Sequence, residues 1–326
     1  MTKKETLIRE KIGVIMEPFR DFLKGDKLSI AKIITKVEND TDTEILNKIY
    51  PYTGKAYQIG ITGPPGAGKS TLVNAITKKL LKENYKIGII AVDPTSPFSG
   101  GALLGDRIRM GDLSLHKNVF IRSMATRGSL GGLSKKTKDV ALVLDAAGMD
   151  YILIETVGVG QIELDIAQVC DTKVVVFVPE SGDSIQAMKA GLLEIADVVA
   201  VNKGDREGSD ALLTELKFSF DLRPKTSWHV PILKTVATDE SGIDELVRAI
   251  KMHEVHLKNS GELKKIRKLR ILNQIHEYIE LEIRRHLRES VIDDKELDRF
   301  VEKILERKLS PYKVAKRIVR SLINNK

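Results

Sequence analysis

One short stretch of the sequence has the residue types and spacing of a phosphate-binding loop. The segment GPPGAGKS at 63–70 fits the pattern G-x-x-x-x-G-K-[ST] and separates a β-rich run from a helical pattern. Glycines in such a loop let successive backbone N–H groups face phosphate oxygens at the positive end of the helix. We therefore predict a nucleoside triphosphate site, with Lys69 along the β and γ phosphates and the Ser70 hydroxyl on Mg²⁺. The predicted residues of this loop are Gly63, Pro64, Pro65, Gly66, Ala67, Gly68, Lys69, Ser70 and Thr71.

A second motif, NKGD at 202–205, indicates which base is selected. Asp205 is expected to accept from guanine N1–H and from the exocyclic amine, a paired contact that adenine cannot reproduce. Asn202 is expected to brace the loop. The following stretch TVATDESGID at 235–244 brings backbone N–H groups within reach of guanine O6. The prediction is GTP or GDP as ligand, with base contacts from Asn202, Lys203, Asp205, Val236, Ala237 and Thr238.

Three carboxylates are candidates for the metal. Asp93 ends a predicted strand in AVDPTSP, and Asp106 lies in GGALLGDRIRM. Either residue alone is also typical of a helix cap or a solvated loop, but ligands bind at the carboxyl edge of a parallel sheet. Glu155, in YILIETVGVGQ, stands where many GTPases carry the aspartate of D-x-x-G. The predicted metal residues are Ser70, Asp93, Asp106 and Glu155, and the predicted catalytic residues are Lys69, Glu155 and Gly158.

Glu155 is one methylene longer than aspartate, so it is expected to meet the Mg²⁺ shell from further back, through a water. The alternative is a buried acid at a strand end, paired with a base. Gly158 is expected to offer its N–H to the γ-phosphate. Many small GTPases place a water-positioning glutamine directly after this glycine, but here Val159 follows it and Gln161 comes later. We therefore expect slow intrinsic hydrolysis that a partner accelerates.

Alternating strands and helices must position these residues. Seven apolar, β-rich runs occur between residues 55 and 256, and they lack strict alternation, as expected of strands covered on both faces. This alternation predicts an α/β fold with a mostly parallel sheet, in a P-loop NTPase domain over 55–256. Apolar spacing predicts a helical extension over 1–54 and a helical arm over 257–326. The predicted strands are 57–62, 86–92, 118–124, 151–156, 172–178, 197–202 and 230–237.

Composition and charge bear on three further properties: nucleic-acid binding, redox compartment and membrane association. The chain has 326 residues and a net charge of +8, with the excess of basic residues concentrated after Gly261. There the charges interleave with apolar residues at helical spacing, which favours a solvated helix face over a nucleic-acid site. The single cysteine, Cys170, excludes an intrachain disulfide and fits a reducing compartment. With no apolar leader or membrane-length apolar run in the sequence, we expect a cytoplasmic protein that binds neither membrane nor nucleic acid.

Taken together, the motifs resemble the MeaB/ArgK family, whose eukaryotic counterpart is the methylmalonic aciduria type A protein. The resemblance rests on GPPGAGKS, VDPTSPFSGGALLGDRIRM, RSMATRGSLGGLS, ETVGVGQIE and the NKGD motif, and it runs over essentially the whole chain. It implies a GTPase of the signal-recognition/MinD-like class that serves as a chaperone for an adenosylcobalamin-dependent acyl-CoA mutase, chiefly methylmalonyl-CoA mutase. Such chaperones gate cofactor loading and protect the mutase from inactivation.

The resemblance also implies a homodimer formed through the C-terminal helices. It assigns phosphate and Mg²⁺ contacts to the residues named above, and it assigns a partner-signalling switch to 178–189. Within that segment Asp183, Gln186 and Lys189 fit the family pattern.

Other classes share parts of these motifs. A nickel-insertion GTPase of the urease or hydrogenase type needs Cys/His clusters, and only His253 and His256 are spaced as ligands. The ArgK name carries the alternative of a transport-linked kinase, against which NKGD points to guanine. A protein-targeting GTPase would need a methionine-rich domain, and the seven methionines are scattered.

Overall fold

The computed structural model describes residues 19–39, 44–93, 111–125, 132–156, 169–179, 191–224, 226–290 and 294–324. The chain divides into two compact units, Met1–Leu263 and Lys264–Lys326. The first unit holds the sheet and the second is helical. The boundaries expected from sequence, 1–54, 55–256 and 257–326, remain proposals about domain organisation.

Seven strands form one sheet in the order β3-β2-β4-β1-β5-β6-β7. Each strand pairs in parallel with its neighbours, so all the carboxyl ends lie at one edge. The predicted α/β fold with a mostly parallel sheet is therefore confirmed, and every pairing among the described strands is parallel. The strands are β1 Tyr57–Thr62, β2 Ile87–Asp93, β3 Val119–Ala125, β4 Tyr151–Glu155, β5 Thr172–Phe177, β6 Val198–Val201 and β7 Ile232–Lys234.

Helices cover both faces of the sheet, which is why the central strands are apolar along their whole length. Those described in the first unit are α1 Lys27–Glu38, α2 Glu44–Ile49, α3 Lys69–Lys82, α4 Gly111–Ser114, α5 Gly132–Ala146, α6 Leu192–Ile195, α7 Ser209–Asp221 and α8 Ile243–Ser260. Side chains of α3 and α8 pack on one face. On the other face, α1, α2 and α5 cover one half and α6 and α7 the other.

The N-terminal helices are fastened to the sheet by polar contacts as well as by apolar packing. Arg122 Nε on β3 donates to Glu38 Oε1 at the end of α1 (2.9 Å). Lys27 Nζ, in the first turn of α1, donates to the carbonyl oxygens of Ser114 and His116. Asp145 on α5 accepts the backbone N–H groups that lead into β1, including that of Ala56 at 2.9 Å. These contacts join the described residues of 19–39 and 44–56 to the rest of the first unit.

Three helices run to the end of the described chain: α9 Glu262–Ser290, α10 Asp294–Leu305 and α11 Pro311–Asn324. The end of α10 and the start of α11 are set by local signals. Arg307 takes a positive φ of 60° after α10. The Ser310 hydroxyl accepts the Lys313 N–H (3.3 Å), and Pro311 is the first helical residue, a position that suits proline. None of the described helices is long and apolar enough to cross a bilayer.

A buried polar network closes the amino edge of the sheet, at the opposite ends of the strands from the phosphate-binding motif. The Tyr57 hydroxyl lies 2.5 Å from Thr172 Oγ1, which lies 2.8 Å from His253 Nδ1 on α8. His253 Nε2 is 3.8 Å from Asp197 Oδ1, and Asp197 also accepts Lys173 Nζ at 2.7 Å. His253 is only 3% exposed. Burial lowers the pKa of His253 below its ordinary value of 6.5, and Asp197 opposes this only in part.

This lowered pKa makes the free energy of unfolding pH-dependent. Between the folded and unfolded pKa values of His253, the unfolded chain binds a proton that the native chain does not, so stability falls as pH drops below about 6.5. We expect His253→Gln to reduce this slope, which for one proton is at most about 1.4 kcal/mol per pH unit. The measurement is urea unfolding from pH 7.5 to pH 5, with His229→Gln, at an exposed position, as the matched control. A slope that His253→Gln leaves unchanged would contradict the assignment.

Candidate functional site

The predicted phosphate loop joins β1 to α3 at the carboxyl edge of the sheet. Gly63, directly after β1, lies so close to β5 that an added Cβ would be 2.2 Å from the Val176 carbonyl oxygen. Gly68 precedes the first turn of α3 with a left-handed φ of 82° and no side-chain cap. Gly68 therefore offers no capping side chain to the first N–H groups of α3, which lie next to the loop, as phosphate binding requires.

Lys69 lies across this loop rather than in solvent. Its Nζ donates to the carbonyl oxygens of Gly63 (2.7 Å) and Pro64 (2.9 Å), and the residue is 6% exposed. The two carbonyl oxygens thus hold the buried amine-bearing end of this side chain at the N-terminus of α3. Charge and backbone N–H groups thus converge on the same point, an arrangement that attracts an anion.

Glu155 reaches the same place from the middle of the sheet. It ends β4 between Ile61 of β1 and Ala91 of β2, and it is 7% exposed. Its Oε1 accepts the Ser70 hydroxyl at 2.6 Å. The sequence suggested that this acid either serves the metal or pairs with a base. In the structure it contacts the Ser70 hydroxyl, which is expected to bind Mg²⁺. A carboxylate and a hydroxyl in contact are oxygen donors of the kind that Mg²⁺ accepts.

Asn202 joins the phosphate loop to the predicted base loops. Its Nδ2 donates to the Ala67 carbonyl oxygen (2.8 Å), and its Oδ1 accepts the Ala237 N–H (3.1 Å). The hydroxyl of Thr235 also lies 3.3 Å from Oδ1. The side chain is 2% exposed, and a Cβ on Gly68 would come within 2.5 Å of its Nδ2. The bracing role expected of Asn202 is visible as these hydrogen bonds.

The rest of NKGD forms a tight turn beside the end of β7. Lys203 adopts a positive φ of 55°, and the Gly204 N–H donates to the Thr235 carbonyl oxygen at 2.9 Å. Asp205 is exposed. The Val236 N–H donates to the Ser241 carbonyl oxygen (2.9 Å) and pins the 235–241 loop into its own turn. The two predicted base-binding segments therefore lie side by side.

The carboxyl edge thus gathers the phosphate loop, Glu155, the NKGD turn and residues 236–238. Thr235 belongs to the same arrangement but was missed from the sequence. The sequence feature that could have identified Thr235 is its position, as a β-branched hydroxyl residue directly before the predicted base contacts. The side chain of Asp93 lies outside the described part of the chain, as do the residues Asp106, Gly158, Asp183, Gln186 and Lys189.

The histidine pair considered for nickel is engaged elsewhere. His253 is part of the amino-edge network, and its ring lies 4.8 Å from that of Trp228. The ring centroids of His253 and His256 are 6.4 Å apart and stacked. Within the described ranges, no group of three or more His, Cys, Asp or Glu residues is arranged to hold a metal.

A parallel sheet whose first strand feeds a glycine-rich loop and a helix opening with Lys-Ser defines a P-loop nucleotide hydrolase. Residues 30–291 match the family described as methylmalonyl Co-A mutase-associated GTPase MeaB. A GTPase of Pyrococcus abyssi is 49% identical over 306 residues, covering 92% of this chain and 94% of the relative. The mitochondrial methylmalonic aciduria type A homolog of Mus musculus is 33% identical over 269 residues, covering 75% of this chain and 64% of the relative. The crystal structure of a protein named LAO/AO transport system kinase has a TM-score of 0.70 at 27% identity, covering 96% of this chain and 98% of that one.

The chain belongs to the MeaB family of methylmalonyl-CoA mutase-associated GTPases. It is a GTP-binding P-loop enzyme that hydrolyses GTP. The family and the reaction class predicted from the sequence are both confirmed.

Replacing Asn202 by alanine should damage two loops at once. The change leaves the Ala67 carbonyl oxygen and the Ala237 N–H without their partner in a buried place, at a cost of about 1–3 kcal/mol. We expect a lower melting temperature and about a tenfold or greater rise in the Kd for GDP. Calorimetry and thermal unfolding measure these quantities, with Asn273→Ala, at an exposed position of α9, as the control. Unchanged GDP affinity would show that the bridge does not hold the site together.

Proposed function

We propose that the chain is a GTP-driven chaperone of an adenosylcobalamin-dependent acyl-CoA mutase, with methylmalonyl-CoA mutase as the first candidate. In this role it gates loading of the cobalamin cofactor and protects the mutase from inactivation. The observation that carries the proposal is the family match over residues 30–291, whose description names that mutase. The residues of the site are proposed to bind and hydrolyse GTP, and such gating needs this cycle of GTP and GDP states.

The contacts proposed for the phosphates follow from the geometry of the loop. Backbone N–H groups from Gly66 to Thr71 surround the β-phosphate, and Lys69 Nζ exchanges its bonds to carbonyl oxygens for bonds to phosphate oxygens. This exchange keeps the buried ammonium paired in both states, since it now lies 2.7 Å from the Gly63 carbonyl oxygen. The same lysine then stabilises the negative charge that develops on the phosphates during hydrolysis.

The contacts proposed for guanine lie at the neighbouring turn. The Asp205 carboxylate accepts from N1–H and from the exocyclic amine, and the stem of Lys203 covers one face of the ring. A backbone N–H from the stretch Val236, Ala237 and Thr238 reaches O6. This assignment is supported by the contact between the two turns, where the Gly204 N–H meets the Thr235 carbonyl oxygen.

Ser70 and Glu155 fit a magnesium ion, because their oxygens are adjacent, partly shielded from solvent and of the type this ion prefers. We propose that they hold it together with Asp93 and Asp106. When bound, the ion supplies positive charge to the β and γ phosphates. Glu155 holds the Ser70 hydroxyl in place from the sheet, and the Gly158 N–H is proposed to meet the γ-phosphate. The proposed signalling contacts to the mutase are Asp183, Gln186 and Lys189.

Two other functions share parts of the site. A nickel-insertion role lacks support among the described residues, since His253 bonds to Thr172 and no cluster of three ligands is found there. The name LAO/AO transport system kinase describes the structural relative, and it assigns no kinase activity to this chain. Neither alternative explains a family description that names a mutase.

We also propose a homodimer formed through the C-terminal helices. Four apolar side chains recur at helical spacing along α9 and are each between 45% and 54% exposed: Leu272, Ile275, Ile279 and Ile283. Exposed apolar surface of this extent on a soluble protein marks an interaction site. A second copy of the chain offers the same stripe, so pairing buries both.

The chaperone proposal predicts a nucleotide-dependent complex. With a non-hydrolysable GTP analogue, the purified chain should co-elute with a purified adenosylcobalamin-dependent mutase. Its slow GTP turnover should rise about tenfold or more when the mutase is added, because the partner completes the site that Val159 leaves without a glutamine. An Asp205→Ala chain, in which the proposed base contact is removed, is the control. It should neither form the complex with the analogue nor show the rise in GTP turnover. Fast turnover by the chain alone, or no complex under any nucleotide, would sink the proposal.

The dimer proposal predicts a change of mass in solution. Sedimentation of the full chain should give a dimer, and the double substitution Ile275→Glu with Ile279→Glu should give a monomer because it buries two carboxylates in an apolar interface. Asn273→Glu, on the same helix, is the matched control. A dimer that survives the double substitution would place the interface elsewhere.

A further inference from the structure

The side chain of Lys234 packs against the turn that carries Asp205. Lys234 is the last residue of β7, where its Cα pairs with that of Val201. A Cβ added to Gly204 would lie 2.5 Å from Lys234 Cγ and 3.1 Å from its Cε. The stem of the lysine therefore lies directly on the α-carbon of the third NKGD residue.

The backbone of Lys234 has no room to retreat from this contact. Gly242 lies against it, since an added Cβ there would be 2.2 Å from the Lys234 carbonyl oxygen. The next residue is fixed by the Thr235 N–H, which donates to the Val201 carbonyl oxygen at 2.8 Å. Strand pairing with β6 and the close contact with Gly242 thus both hold the main chain of Lys234.

Gly204 is held in turn by both of its peptide groups. Its N–H donates to the Thr235 carbonyl oxygen (2.9 Å), and its carbonyl oxygen accepts the Ser209 hydroxyl (2.8 Å). The lysine stem supplies the remaining side of this enclosure, and Asp205 follows directly. The position of the Asp205 main chain is therefore coupled to the volume that Lys234 fills.

The charge of Lys234 contributes less to holding the Gly204 turn than its aliphatic stem does. Nζ lies 2.8 Å from Asp210 Oδ1, but the two side chains are 38% and 82% exposed. Exposed ion pairs of this kind are worth little because water screens them. The aliphatic carbons of a lysine can pack as an apolar side chain does while the ammonium stays in solvent.

We propose that Lys234 is a positioning residue for guanine selection, with its stem against Gly204 setting where the Asp205 carboxylate stands. The proposal rests on the guanine contact proposed for Asp205 and extends it to a residue outside the recognised motifs. A carboxylate that accepts from two donors on one base edge is sensitive to displacements of about 1 Å. Lys234 should therefore affect discrimination between bases more than it affects binding of the phosphates.

The test compares Kd values for GDP and for IDP, whose base lacks the exocyclic amine. The quantity measured is the ratio of the IDP Kd to the GDP Kd. Lys234→Ala, which removes the stem, should lower this ratio by about 3- to 10-fold. Lys234→Met, which keeps the stem and removes the charge, should stay within about twofold of the wild type.

A second pair of variants tests the contact itself. Gly204→Ala should lower the ratio while Lys234 is present, because its methyl group and Lys234 Cγ compete for one position. In the double variant with Lys234→Ala the methyl group takes the place of the stem. The ratio should then be higher than in Lys234→Ala alone, a non-additive result expected of residues in contact.

The measurements distinguish failure of the guanine contact proposed for Asp205 from failure of the role proposed for Lys234. Equal binding of GDP and IDP by the wild type would remove the guanine contact assigned to Asp205, whatever Lys234 does. Clear discrimination by the wild type that Lys234→Ala leaves unchanged, or additive effects in the double variant, would overturn the role of Lys234 alone. If Gly204→Ala fails to fold, the comparison of Lys234→Ala with Lys234→Met still decides.

Discussion

The side chain of Asn202 is the interaction on which the rest of the nucleotide site depends. The residues proposed to contact the phosphates lie on one loop, and those proposed to contact the base lie on two others. These three loops meet at the carboxyl edge of the sheet. The amide of Asn202 donates to one loop through Ala67 and accepts from another through Ala237. Because the amide is buried, separating the loops would leave polar groups without partners, at a cost of about 1–3 kcal/mol. The distance between the phosphate end and the base end of the site is therefore fixed before any ligand arrives.

Glu155 shows how the sheet, rather than a local motif, completes the phosphate end. Ser70 opens α3, and Glu155 ends β4, far along the chain. Parallel pairing with β1 brings Glu155 beside Ile61, and from there its side chain meets the Ser70 hydroxyl. An aspartate at this position would reach less far toward α3 by one methylene. The longer side chain of glutamate thus allows a direct hydrogen bond with the Ser70 hydroxyl.

What could be predicted from the sequence was whatever is encoded locally. β1 was predicted with its observed bounds because an apolar run buried on both faces ends sharply at polar or glycine residues. The last strand was predicted over 230–237 but spans only Ile232–Lys234, because it lies at the sheet edge and the Val236–Ser241 bridge turns the chain away. Motif spacing found the phosphate loop and NKGD. It could not find contacts made by strand register, such as those of Thr235 with Asn202 or Lys234 with Gly204.

Helix α8 connects the two edges of the sheet and gives the base loops a rigid support. It begins after Gly242, which touches the main chain of Lys234 at the carboxyl edge. Farther along, it buries His253 in the hydrogen-bonded network with Thr172 at the amino edge. A helix anchored by buried polar groups at one end resists translation, because sliding by even one residue would break those bonds in a place that water cannot reach. The amino-edge network, distant from the nucleotide, therefore helps to hold the start of α8, and with it the loop beside Asn202, in position.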